Sequence, residues 1–357
     1  PMPVDESNLG MSATAQPVPG EIDALQLTVT SQDPSLTYYP VAMAFATQPV
    51  EELIESIFQR VEASLERDEN DGHDYSEALD ALEDARKLYA EILALVEMAV
   101  DEDLAEARAL LDEALARLEQ ARQSQQAAID ELELLREEGA SGVRKALELA
   151  EHLLTQASVI PDLAETHFWL LEHTGYEMAE VNVGSVESGA GSVETPIYDA
   201  ETNTIVVANE TDISPSVLRH QFGHAVLLHQ TGFAFPGDEA GVSSICDTVS
   251  EAAAWSEGFA SFFGQATLGN PHYQDLLLDF SVDLETREAL HGDVLLACND
   301  IGETVMLNVA ASLWDLFDGE ANDVPDIDGD GLSVPFDTVW QCLDSEAPTS
   351  LQELVDC

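Results

Sequence analysis

At 357 residues the chain is long enough for two or three domains and a sizeable core. Seventy acidic residues stand against twelve basic ones, a net charge of −58, which excludes nucleic acid and anionic lipid as partners because both are polyanions. No run of eighteen apolar residues occurs, so no membrane insertion is expected. The same charge suits a high-salt environment, where self-repulsion is screened within a few ångströms; a calcium-rich surface layer is the rival setting.

Residues 1–47 are poor in charge and read as an N-terminal arm, partly extended. Residues 25–30 alternate like a strand, and Tyr38, Tyr39, Val41, Met43 and Phe45 give a second extended piece. From 48 to 174 the chain turns helical and rich in Ala, Leu and Glu. Pro49 opens a helix with Leu53, Ile54, Ile57, Phe58 and Val61 on one face, and the run RDENDGHD breaks it. Helices are then expected over 76–100, 103–138, 141–157 and 162–173, the last two divided by Pro161. Leu104, Ala107, Leu111, Ala114 and Leu118 recur at helical spacing, so the two long helices read as an antiparallel, coiled-coil-like hairpin. It is either a scaffold packed on its own Leu and Ala or an arm that binds a protein partner.

Beyond 175 the texture is α+β. A strand is expected at 181–183 and a Gly- and Ser-rich loop at 187–195. Ile197-Tyr198 and residues 204–208 then form a β-hairpin around a turn at 199–203. The stretch ISPSVLRHQFGHAVLLHQTG that follows has Ser214 as N-cap, Pro215 as first helical residue and Gly232 as stop. Inside this helix His220 and His224 are four apart, so both imidazoles project from one face and can share one metal ion. The spacing is that of the H-E-x-x-H motif of zinc peptidases, with Gln221 in place of the Glu. That Glu serves as general base toward the attacking water, and a neutral amide cannot take the proton.

HQFGH followed by Trp255-Ser256-Glu257-Gly258-Phe259-Ala260 resembles the gluzincin group of zinc metallopeptidases. The resemblance covers about a quarter of the chain and implies a zincin-like catalytic domain over 175–357. It implies His220, His224 and Glu257 as zinc ligands, an open fourth position, and Gln221 at the general-base position. It also implies that residues 204–208 edge the cleft and pair with a peptide substrate. Two features depart from the pattern. The gap from His224 to Glu257 holds 32 residues, so an insertion lies between the two helices, and an acidic residue that orients a histidine is replaced by Ser261, so another group must fix the ring tautomers. His229, Asp238, Glu239 and Glu251 remain alternative third ligands.

Downstream, Tyr273 and His291, with His272 beside Tyr273, are candidates for stabilising the oxyanion. Residues 299–318 read as a helix carrying Glu303. The run DIDGDG, with carboxylates at Asp326, Asp328 and Asp330 and a further Asp337 at position twelve, matches a calcium-binding loop with a shortened last ligand. Cys246, Cys298, Cys342 and Cys357 suggest two disulfides and an oxidising compartment; Cys246–Cys298 with Cys342–Cys357 is the expected pairing among three connectivities.

The favoured reading is a secreted or cell-surface zinc metallopeptidase, α+β, acting on protein or peptide and silenced by Glu-to-Gln replacement at 221. A natural zinc-binding pseudopeptidase is the first alternative. A calcium-binding surface or adhesion protein, using the helical arm for recognition, is the second.

Overall fold

The computed structural model describes residues 12–13, 29–30, 41–42, 55, 58–63, 65, 74–100, 104–137, 143–176, 178, 181–186, 196–208, 213–233, 245–275, 279–292, 294–296, 302–319, 322, 324 and 332–357. The fold is α+β, mostly helical with small sheets, as expected.

Helices α1 (Ser76–Val100) and α2 (Leu104–Glu137) form the expected hairpin. Tyr75, Ala78, Leu82, Ala85, Tyr89, Ile92, Val96 and Ala99 are buried at alternating steps of three and four. Ala107, Leu111, Ala114, Leu118, Ala121, Gln125, Ala128, Leu132 and Leu135 repeat the pattern on α2, a coiled-coil seam built with small residues. The seam's polar member, Gln125, is fully buried and satisfied. Tyr89 Oη donates to its Oε1 at 2.7 Å, and its Nε2 donates to the Ala150 carbonyl. One register satisfies both bonds, so Gln125 fixes how the helices align.

Ala150 belongs to α3 (Val143–Thr174), which packs on α2. The two helices expected on either side of Pro161 are one continuous helix. Proline removes one backbone bond, but Val159, Pro161, Asp162, Leu163 and Ala164 are all buried there, and packing on both sides of the break holds the axis together. The far end of α3 carries the same core onward, where Trp169 meets Phe263, Phe317 and Phe336.

A mixed sheet has strand order β3 (Val41–Ala42), β4 (Asn182–Val186), β6 (Thr204–Ala208), β5 (Ile197–Asp199). Within the arm, Val41–Ala42 thus pairs with β4, while β1 (Ser12–Ala13) and β2 (Val29–Thr30) pair with each other. The remainder of the arm lies outside the described residues. β6 runs parallel to β4 and antiparallel to β5, which corrects one expectation. Residues 204–208 are interior to the sheet, and the exposed edge is β5.

Two helices follow. α4 (Pro215–Thr231) is capped by Ser214, whose hydroxyl accepts from Val217 N–H, and stops at Gly232 with φ 71°. α5 (Glu251–Leu268) is capped by Ser250 and stops at Gly269 with φ 61°. An antiparallel sheet of β7 (His272–Asp275), β8 (Phe280–Asp283), β9 (Glu288–His291) and β10 (Val294–Leu296) comes next. Helices α6 (Met306–Phe317), α7 (Phe336–Glu346) and α8 (Leu351–Asp356) complete the chain. The helix expected over 299–318 starts only at Met306. Glu303 lies in a turn ahead of it, because Gly302 at φ 113° and the Thr248–Val305 bridge hold the chain extended there. Cys342 and Cys357 form a disulfide between α7 and the C-terminus. Cys246 is also disulfide-bonded, and Cys298 lies outside the described residues.

Candidate metal centre

α4 and α5 pack closely because glycine faces the partner backbone on each. A Cβ on Gly223 would lie 2.9 Å from Ala260 Cα, and one on Gly264 would lie 3.0 Å from His220 N. Real Cβ atoms essentially never come as near as the first and rarely as near as the second, so glycine at 223 above all lets the helix axes come this close. That proximity carries Glu257, on α5, to the two histidines of α4.

His220 Nε2 and His224 Nε2 are 3.1 Å apart. Glu257 reaches both, Oε2 at 3.2 Å from His220 Nε2 and Oε1 at 3.4 Å from His224 Nε2. Tetrahedral ligands at the bond lengths usual for zinc stand about 3.3–3.5 Å apart, so the three donors already have the spacing of one such ion. Each ring's other nitrogen meets a hydroxyl, Ser261 Oγ at 3.1 Å from His220 Nδ1 and Ser256 Oγ at 3.2 Å from His224 Nδ1. With Nδ1–H donating to serine, both Nε2 lone pairs face each other and the carboxylate, an arrangement that repels itself unless a cation joins it. The donor set therefore fits a divalent ion of intermediate softness. Among the described residues it is the one cluster of three or more His, Cys, Asp or Glu able to hold a metal.

Burial alone would push the Glu257 carboxyl up. Where a proton on the ring Nε2 atoms stands in for the cation, the facing His224 and His220 rings, by charge and hydrogen bond, instead hold it well below the usual carboxylate range. His220 is pushed down, chiefly by its burial. β7 is tied to the start of α4, since Ser214 Oγ donates to the Gln274 carbonyl. This places Tyr273 with its ring centroid 5.9 Å from that of His220. Burial, then Asp275 and Glu257, push the Tyr273 phenol up, so it stays protonated and a hydrogen-bond donor.

The structure thus brings together His220, His224, Glu257 and Tyr273. It does not bring in His291, which is exposed at the end of β9, two strands and two residues from Tyr273, about 10 Å or more away. His272 is exposed and pairs with Asp283. Of the alternative third ligands, His229 meets Asn203 Oδ1 and Glu251 is exposed at the start of α5, while Asp238 and Glu239 lie outside the described residues. So do Asp326, Asp328 and Asp330; Asp337 is exposed in the first turn of α7. Gln221 accepts at Oε1 from the Tyr198 backbone N–H of β5, at 2.7 Å.

Two contributions escaped the sequence reading. Ser261, taken there as the loss of an orienting group, itself orients His220, and Ser256 does the same for His224. For Ser261 the signal was spacing, since it lies four residues after Glu257 and shares its face of the helix; Ser256 gave no such signal.

Compared with known families, residues 172–346, just under half of the chain, match the family described as Mycolysin C-terminal domain. This relates the segment to zinc metallopeptidases. No curated protein and no solved structure matches the chain significantly.

Proposed function

We propose that His220, His224 and Glu257 hold one zinc ion in a site built for hydrolysis of protein or peptide substrates, and that Gln221 leaves it without its proton shuttle. The observation that carries this reading is the trio of donors 3.1–3.4 Å apart with both ring Nδ1 atoms engaged by serines. When bound, zinc supplies the Lewis acidity that polarises a carbonyl and acidifies water.

The chain's own residues do the rest. Ser256 and Ser261 lock the tautomers that leave Nε2 free, and the Glu257 carboxylate lowers the net charge of the site. Tyr273 offers a phenol proton to the oxygen on which negative charge develops. Gln221 can donate and accept hydrogen bonds but cannot carry the proton from water to the leaving amine. The acidic composition and cysteine pairs further support a secreted or surface protein of a high-salt environment.

Replacing Gln221→Glu in zinc-loaded protein tests the reading. A positioned base contributes about 10²–10⁴-fold, and peptide hydrolysis should rise by that order. Zinc binding with no gain in hydrolysis favours the natural pseudopeptidase, and failure to bind zinc removes the reading altogether.

A further inference from the structure

Gln221 does not merely lack basicity; its amide has a set direction. The Tyr198 N–H is a donor only, so the atom facing it at 2.7 Å must be the amide oxygen, and the two Nε2 hydrogens point away from β5 as the donors of residue 221, beside the oxygen's second lone pair. Tyr198 is itself held. Its phenol donates to Asn203 Oδ1 at 2.6 Å, and His229 Nε2 lies 3.0 Å from the same oxygen. β5 is therefore tied to α4 at residues 221 and 229, about 12 Å apart along the helix, and the Tyr198 N–H keeps its aim.

The charge balance of the site points the same way. Two neutral imidazoles and one carboxylate leave a bound divalent cation with a net positive charge, which an anionic oxygen ligand would neutralise. A Glu at 221 would turn its second oxygen on that ligand and repel it, whereas an oriented amide donates to it. The strongly negative surface does not forbid an anion in high salt, where its field dies within a few ångströms.

Resting on the zinc-site reading, we propose that Gln221 makes this a binding site for peptides bearing a free carboxylate, with Nε2 donating to a carboxylate oxygen held beside His220, His224 and Glu257. Tyr198, through its backbone N–H, is the positioning residue that gives the amide its orientation.

The test uses the full chain loaded with Co²⁺ in high salt, titrated with an N-acetyl dipeptide and with its C-terminal amide. Binding is followed by calorimetry and by the visible cobalt spectrum. The acid is expected to bind about tenfold or more tighter than the amide and to change the cobalt spectrum. Gln221→Ala and Gln221→Glu should each remove most of that preference. Tyr198→Pro deletes the N–H at an edge position that admits proline, and should remove it with Gln221 still present. The cobalt titration in the same samples records whether the metal site survives each change. Equal affinity for acid and amide, or a preference unaltered in Gln221→Ala, overturns the inference and leaves the zinc site standing. Failure of Co²⁺ to bind the unsubstituted chain overturns the zinc reading and this inference with it.

Discussion

Replacing Arg219 by Met should unlatch α4, the helix of His220 and His224, from the helical arm. Arg219 directly precedes His220 on α4, yet its side chain, 3% exposed, runs to α3 and α5. Its Nη2 lies 2.5 Å from Glu165 Oε2 and 3.6 Å from Asp162 Oδ1, and its Nη1 donates to the Thr267 carbonyl at 2.9 Å. On the other side, Arg108 of α2 lies 3.9 Å from Glu165, so one charged network crosses three helices and is joined to a backbone carbonyl of a fourth. Burial pushes the Asp162 carboxyl up, and Arg219 is the first charge that draws it back. Removing one partner of a buried pair typically costs about 3–5 kcal/mol, mostly the penalty of the charge left behind. Because Glu165 is 24% exposed and can rehydrate, the lower end, about 3 kcal/mol, is expected. Equilibrium unfolding in denaturant measures it, and the loss should persist in high salt because buried pairs are weakly screened. The combined variant Arg219→Met, Asp162→Leu, Glu165→Met should recover most of the loss, since apolar replacement of a whole buried network is commonly neutral. A loss below about 1 kcal/mol for Arg219→Met alone would show that the pair is not buried enough to leave a stranded charge.

Ser261→Ala and Ser256→Ala should each weaken zinc affinity about 10–100-fold with little change in thermal stability, measured by competition with a chelator; unaltered affinity in both contradicts the orienting role. In metal-free protein, burial holds the His220 pKa below its ordinary 6.5. Just below pH 6.5 the unfolded chain therefore takes up a proton that the folded chain refuses. Stability is in place above that pH and is lost as pH falls through the window beneath it. Glu257, whose carboxyl is also held low, acts with the same sign in more acid solution. Thermal unfolding across this range should show the step, and His220→Phe should reduce it; a wild-type profile flat across the window argues against the buried neutral imidazole.

Much of the candidate site could be read in advance because its spacing rules are local. Ser214, Pro215 and Gly232 bound α4 through capping chemistry that depends on neighbours in sequence, and the four-residue step from His220 to His224 is a property of any helix. The seam of α1 and α2 was legible for the same reason, as a periodicity. Long-range pairing was less so. That β6 is interior and β5 is the edge depends on β4, which pairs with β6 in parallel from well before it in the chain. Pro161 was read by its local cost, which burial along α3 outweighs. Ser261 was misread because the polarity of a side chain does not reveal which ring nitrogen it will face.

A crystal structure of zinc-supplemented protein, recorded on both sides of the zinc absorption edge, shows directly whether His220, His224 and Glu257 share one ion. One strong anomalous peak is expected about 2.0–2.2 Å from His220 Nε2, His224 Nε2 and a Glu257 oxygen. No peak among these three side chains, or a zinc ion held by other residues, would contradict the shared site.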